Sequence, residues 1–310
     1  MKEAGAPFRA GASAGRAPSL PLSASARSSM SDFVALTKPR LNVLVVATSA
    51  AGYYLGSTTT PAFAPMAIAV AGTALVAGGA AVLNQVYERD TDALMRRTRM
   101  RPLPDGRVAT NDASLFGMAI AAAGLLVLGA GANVLSATLA LATLISYLIV
   151  YTPMKRRSPA STLVGAVPGA LPALIGWTAA SGALSLGGLA LFAIVFLWQV
   201  PHFMAIAWLY REDYAKAGFP MLPVIDPQGR RVGRQAVIYS VLLIPAAVAP
   251  SLIGVSGSLY LGFAVVASSA LLVLAIRFAS GRTDAAARSL FLGSIAYLPL
   301  LWMAMIADKL

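Results

Sequence analysis

Asn84, Glu88 and Asp92 stand at i, i+4 and i+8, where a long apolar run gives way to charge. On an α-helix that spacing drifts by only about 40° per step, so the three side chains share one face and Asp90 lies off it. Two carboxylates and an amide oxygen at such a boundary are hard donors suited to Mg²⁺, which keeps waters and bridges to phosphate when held this way. The competing reading is a helix end whose acids pair at the surface with Arg89, Arg96 and Arg97. The stripe alone does not choose between them.

Its company points toward an anion. Arg96, Arg97, Arg99 and Arg101 follow directly, and a second basic cluster, Lys155-Arg156-Arg157, closes a later apolar run. Cationic forks beside a divalent ion suit a diphosphate, whose charge must be neutralised as it leaves. Membrane topology also demands basic residues at one side, and it accounts for most of these arginines without any site. His202, the one histidine, lies in Trp198-Gln199-Val200-Pro201-His202-Phe203 within an apolar run. A lone histidine there is ordinarily hydrogen-bonded structure, although an ionisable group inside a membrane span points toward a site.

The elements that position these residues follow from composition. The chain is 58% hydrophobic and 12% charged, far from the balance of a water-soluble domain, and it belongs with polytopic membrane proteins. Its net charge of +12 does not signal nucleic acid, because the basic residues sit in connections between apolar runs without aromatic interleaving. Cysteine is absent, which excludes a disulfide framework and a thiolate nucleophile or metal site. Nine apolar stretches are expected to cross the membrane, at roughly 41–57, 62–86, 112–131, 133–151, 162–181, 185–209, 235–254, 257–279 and 287–306. The fifth contains Pro168 and Pro172 with Gly165 and Gly169, which predicts a kinked, closely packed helix.

Charge sets the orientation. With the N-terminus inside, the cytoplasmic connections hold Arg89 to Arg107, Lys155 to Arg157, Arg211 to Arg234 and Arg277 to Arg288. Only Lys309 then falls outside. The expectation is an all-α bundle of about nine transmembrane helices with a central cavity open near the cytoplasmic face, in a bacterial cytoplasmic membrane, with the C-terminus outside. Residues 1–30, rich in Ala, Ser, Gly and Pro, read as a disordered cytoplasmic tail, with a transit peptide or an upstream start ahead of Met30 as rivals. The domain proper is expected over 31–310. The long cytoplasmic connections after the second and sixth stretches have the length of functional loops and suggest two similar halves meeting at one site. A transporter would need polar groups through the depth of several spans; here they crowd at one side.

The order of residues adds a resemblance. Asn84-x-x-x-Glu88-x-x-x-Asp92 matches the first acidic motif of the UbiA-type intramembrane prenyltransferases. The continuation Met95-Arg96-Arg97-Thr98-Arg99-Met100-Arg101-Pro102-Leu103-Pro104 with Gly106 resembles their haem-prenylating branch, the protohaem IX farnesyltransferases or haem O synthases. Four blocks agree: Thr37-Lys38-Pro39-Arg40, Tyr151-Thr152-Pro153-x-Lys155-Arg156, the block around His202, and Asp213-Tyr214-x-x-Ala217-Gly218-x-Pro220-Met221-Leu222-Pro223. Together they run from Ser31 to about residue 306.

The resemblance implies farnesyl diphosphate as donor, haem B as acceptor, Mg²⁺ as cofactor, and a haem O product for terminal oxidases, with haem-pathway or oxidase-assembly proteins as candidate partners. Asn84, Glu88 and Asp92 would hold the metal–diphosphate, and Arg97, Lys155 and Arg156 would clamp it. Tyr151 and His202 fall among the substrate-contacting positions. His202 would serve as axial ligand to the haem or as proton relay. The wider family often carries Asp-x-x-x-Asp after the sixth span. Here Glu212 and Asp213 are followed by Lys216, which leaves one or two metals open, with Asp213 the candidate ligand and Lys216 a candidate diphosphate contact. A solvated loop with a Glu212–Lys216 pair is the plain alternative.

Overall fold

The computed structural model describes residues 29–310. The segment expected to be a tail lies outside the described residues except for Ser29 and Met30, which begin the first helix. In α1 (Met30–Leu36), Ser29 and Asp32 cap one another's backbone N–H groups in a capping box. Nine long helical segments follow: α2 (Pro39–Gly56), α3 (Phe63–Asp92), α4 (Thr110–Gly131), α5 (Val134–Ile145), which continues through a π turn (Ser146–Tyr151) into α6 (Thr152–Met154), then α7 (Ser161–Ser181), α8 (Leu186–Leu209), α11 (Arg230–Leu252), α12 (Ser258–Gly281) and α13 (Asp284–Ala307). Two short helices, α9 (Arg211–Lys216) and α10 (Leu222–Ile225), lie between α8 and α11. No strand forms among the described residues; one isolated bridge joins Ser256 to Lys309.

Eight of the nine long segments are long and apolar enough to cross a membrane. The exception, α2, has 18 residues and carries Arg40 and Asn42 in its first turn, which dilute an otherwise apolar stretch. The expected all-α architecture therefore stands. α3 runs six residues past the apolar stretch, to Asp92, so the acidic stripe lies on one helix as its spacing required.

Close approach of backbones holds the bundle together, since apolar burial alone drives little association in lipid. α2 crosses α7 where Gly52 and Gly56 face Ala173 and Trp177, and where the missing Cβ of Gly176 leaves room for the Ser49 carbonyl. α3 meets α4 in the same manner: Gly79 rests on the Gly117 carbonyl and Gly124 on the Gly72 carbonyl. α7 runs as one helix through Pro168 and Pro172, closely packed as its composition suggested. α8 contacts α7, α11 and α13, and its Leu191, Ile194, Trp198 and Met204 belong to the largest core cluster.

The two ends of the bundle differ. One carries the connection 93–109, Lys155–Arg157, α9, α10 and the start of α13, where Arg211 Nη1 donates to Asp284 Oδ1 at 2.9 Å. At the other end Lys309 Nζ donates to the Tyr54 and Ser57 carbonyls at 2.7 and 2.5 Å, where a cation suits the end of α2. Asp308 Oδ2 accepts from the Tyr260 N–H at 2.7 Å in the first turn of α12. The one basic residue expected at this end is thus a helix cap.

Gly176→Val should disrupt the α2–α7 crossing, because its side chain would collide with backbone. A loss of about 1–3 kcal/mol is expected for overpacking of this kind, read as a lowered Tm of the detergent-purified protein.

Candidate active site

Asn84, Glu88 and Asp92 point inward from the last turns of α3, with 3%, 3% and 1% of their surface exposed. Burial rules out the reading in which they pair at the surface. Arg89, which lies off the stripe, bonds Asp90 at 2.8 Å instead. Glu88 accepts both carboxylate contacts from Lys155 Nζ, at 3.0 and 3.2 Å, and Asp92 Oδ2 accepts from Arg101 Nη1 at 2.7 Å. A carboxylate out of water needs such a partner, because desolvation of an unpaired charge is costly.

Lys155 reaches Glu88 through the π turn. There the Thr152 N–H bonds the Tyr147 carbonyl, five residues back, and Thr152 Oγ1 donates to the same carbonyl at 2.8 Å. Pro153 has no N–H to continue an α-helical ladder at the next position. The wider turn stacks the Tyr147 and Tyr151 rings, with centroids 5.3 Å apart, and seats Tyr151 against Gly165 of α7. Thr152 Oγ1 also accepts from Asn84 Nδ2 at 3.1 Å, so the side-chain amide N–H is occupied and its oxygen is turned away from that bond. π turns recur at functional sites, and this one delivers Tyr151, Thr152 and Lys155 to the stripe. The Lys155 ammonium lies 4.8 Å above the Phe219 ring, just beyond α9.

The connection 93–109 folds back on the stripe. Thr98 Oγ1 donates to the Asp92 carbonyl at 2.7 Å, Leu103 and Val108 are buried with Leu36 and Val82, and Arg107 ties the loop to Asp32. Arg101 is thereby brought to Asp92, although its sequence context had not separated it from the topology arginines. Arg156 bonds the Thr91 hydroxyl and lies over the Tyr87 ring. Arg97 lies over the rings of Tyr210 and Tyr214, at 4.8 and 5.9 Å.

Asp213 does not join the stripe. It lines a cleft of about 540 Å³ with Arg96, Arg97, Arg211 and Glu212, while Lys216 is exposed at the end of α9. Among the described residues no three His, Cys, Asp or Glu side chains share a metal-sized site. The stripe itself offers hard oxygen donors in Glu88, Asp92 and the Asn84 amide, the chemistry that suits Mg²⁺ completed by water and phosphate oxygens.

A cation that sequence reasoning had not singled out stands nearby. Lys38 precedes α2, and burial pushes its ammonium down to about 7, with Arg101 and Lys155 adding repulsion and Glu88 and Asp92 opposing it. The sequence showed it only as a member of the block Thr37-Lys38-Pro39-Arg40.

His202 belongs to another part of the molecule. Its partners lie on α8 and α13: Nδ1 is 2.8 Å from Ser294 Oγ, and its ring stacks with Trp198 at 5.1 Å and Phe291 at 5.2 Å. Ser294 Oγ donates to the Phe291 carbonyl at 2.7 Å. Its one hydrogen is then used, so both contacts are satisfied when Nδ1–H donates and Nε2 keeps its lone pair.

Residues 45–303 match the UbiA prenyltransferase family. The protoheme IX farnesyltransferase of Solibacter usitatus is 45% identical over 90% of this chain and 99% of its own length. A digeranylgeranylglyceryl phosphate synthase shares the fold with a TM-score of 0.76 at 16% identity, covering 90% of this chain and 98% of its own. A UbiA homolog from Archaeoglobus fulgidus, bound to GPP and Mg²⁺, superposes with a TM-score of 0.62 at 18% identity, covering 89% and 99%.

Lys155→Met should leave the Glu88 carboxylate buried and unpaired, at a cost of about 3–5 kcal/mol. The double variant Glu88→Gln/Lys155→Met should recover most of that loss in a thermal melt. Equal melting of both variants would show that the pair is not coupled.

Proposed function

The chain belongs to the UbiA prenyltransferase family, and from that premise we propose that it transfers the farnesyl group of farnesyl diphosphate to a vinyl group of haem B, making haem O. The observation that carries this reading is the buried stripe of Asn84, Glu88 and Asp92 with Lys155 and Arg101 on its carboxylates. The acceptor follows from relatives named protoheme IX farnesyltransferase, which match most of the chain at 41–46% identity.

Asn84, Glu88 and Asp92 would hold Mg²⁺, which when bound supplies charge neutralisation for the departing diphosphate. Lys155 and Arg156 stand where they can take phosphate oxygens, and Arg97 stands at the mouth of the cleft. Phe219, Tyr147 and Tyr151 keep water from the reacting carbon, where an allylic cation forms as the diphosphate leaves. The electron-rich vinyl group adds to that cation, and water captures the resulting positive charge, which leaves a hydroxyethylfarnesyl substituent. No covalent enzyme intermediate is needed. Asp213 and Lys216, on α9, would meet the diphosphate from the cleft side, with Asp213 the candidate ligand to any second ion.

His202 would fix the macrocycle through the free Nε2, since its Nδ1–H is committed to Ser294. The charged end of the bundle would face the cytoplasm of a bacterial inner membrane, following the positive-inside bias, with the end that holds Lys309 outside.

Purified protein given haem B, farnesyl diphosphate and Mg²⁺ should yield a farnesylated, hydrated haem by mass analysis. Asp92→Ala should lower turnover by at least about a hundredfold, in keeping with loss of preorganised charge stabilisation. Conversion near the wild-type rate would sink the metal-site reading. His202→Ala should alter the absorption spectrum of bound haem; an unchanged spectrum with full activity would return that residue to the packing of α8 against α13.

A further inference from the structure

α8 and α13 meet at Ser294, whose carbonyl and hydroxyl have different partners. The carbonyl accepts from Trp198 Nε1 at 2.8 Å, a bond that ties the two helices whatever side chain stands at 294. The hydroxyl oxygen lies 2.8 Å from His202 Nδ1 and donates to the Phe291 carbonyl at 2.7 Å, three residues back on α13. That back-bond alone is an ordinary way for a buried helical serine to satisfy its hydroxyl. It does not account for the imidazole.

The ring of His202 is held on several sides. Trp198, four residues before it on α8, stacks on it at 22°, and Phe291 of α13 stacks on it at 30°. Phe203 meets it edge-on, with centroids 6.0 Å apart. With Nδ1 tied to Ser294, one polar atom of the ring is left. Among the described residues the sealed side-chain nitrogen and oxygen atoms that lack a partner are Ser161 Oγ and the indole nitrogens of Trp177, Trp208 and Trp302. His202 Nε2 is not one of them, so the half-buried imidazole presents this atom open and unpaired.

The tautomer decides what Nε2 can do. If the serine hydroxyl gave its hydrogen to Nδ1, Nε2 would carry the ring proton and could not bind a metal. The Phe291 carbonyl takes that hydrogen instead, which leaves Ser294 Oγ an acceptor for Nδ1–H and leaves the Nε2 lone pair free. A bond donated from the far nitrogen also raises the basicity of a metal-bound imidazole.

We propose that Ser294 is a positioning residue for the acceptor: its hydroxyl selects the nitrogen of His202 that meets the haem iron and strengthens that nitrogen as a ligand. This role rests on the proposed ligation of haem by His202. It is separable from the tie between the helices, because the Trp198 bond goes to the backbone of residue 294 and survives replacement of the side chain.

The test uses the full chain in detergent titrated with haem B, with binding read from the Soret band and the reduced complex followed by resonance Raman. Ser294→Ala should weaken haem binding roughly tenfold to a hundredfold, the range for loss of the partner behind a metal-bound histidine. The iron–histidine stretch should move to lower frequency, since an imidazole without an acceptor on Nδ1 donates less to the iron. Ser294→Thr, which keeps a hydroxyl, should return the stretch toward its wild-type position. In a His202→Ala background, Ser294→Ala should change haem affinity by less than about twofold.

An unshifted stretch in Ser294→Ala would overturn the proposed role whatever happens to affinity or Tm, since a hydroxyl that serves packing alone leaves the iron–nitrogen bond untouched. A wild-type complex without an iron–histidine stretch, or a stretch that persists in His202→Ala, would overturn the ligation of haem by His202 itself, and the role of Ser294 with it.

Discussion

Two carboxylates with almost no exposed surface, Glu88 and Asp92, set the terms for the charged end of this bundle. A buried carboxylate without a partner is too costly to keep ionised, so the chain must carry a cation to each. Lys155 comes from the end of the α5–α6 segment and Arg101 from a connection that turns back on itself. Neither lies beside its partner in sequence. The π turn, the fold of residues 93–109 and the docking of Phe219 under Lys155 all follow from bringing them there. Substrate chemistry then inherits an electrostatic frame that the fold already required.

The rest of the bundle makes that frame rigid by bringing backbones close. Gly52, Gly56 and Gly176 bring α2 against α7, and Gly72, Gly79, Gly117 and Gly124 bring α3 against α4. With α3 locked to its neighbour, the stripe has a fixed base, and α7 supports Tyr151 through Gly165. The site is therefore assembled from elements that have little freedom to shift, as preorganised electrostatics demands. α8 serves a different purpose. Its Gln199 side chain donates to the Ala166 carbonyl of α7, while Trp198 and His202 engage α13 through Ser294.

Much of this was legible in the amino-acid order. Apolar runs of membrane-spanning length located the long helices, and a four-residue repeat placed Asn84, Glu88 and Asp92 on one face, because both signals are local and periodic. The small-residue content of α7 announced its close packing. What could not be read was the identity of the partners. Arg101 stands among arginines of the same type in the same loop, and only the turn closed by Thr98 selects it. The pairing of His202 with Ser294 spans 92 residues, beyond any local pattern. The bond from Gln85 to the Leu36 carbonyl spans 49 residues and is equally beyond local pattern.

A π turn amounts to one residue more than an α-helix needs to cover the same rise. The segment from Ser146 to Tyr151 can therefore be viewed as the trace of a single inserted residue. Removing one residue there would leave a span of nearly the same length and hydrophobicity, so membrane insertion would scarcely register the change. The π turn would close into an α-helical one, and the residues after it would keep nearly their phase, while Tyr147 and Tyr151 inside it would be drawn into the ordinary ladder and lose their stacked arrangement. Length variation at this point of the chain is thus silent to the lipid and felt first in that tyrosine pair.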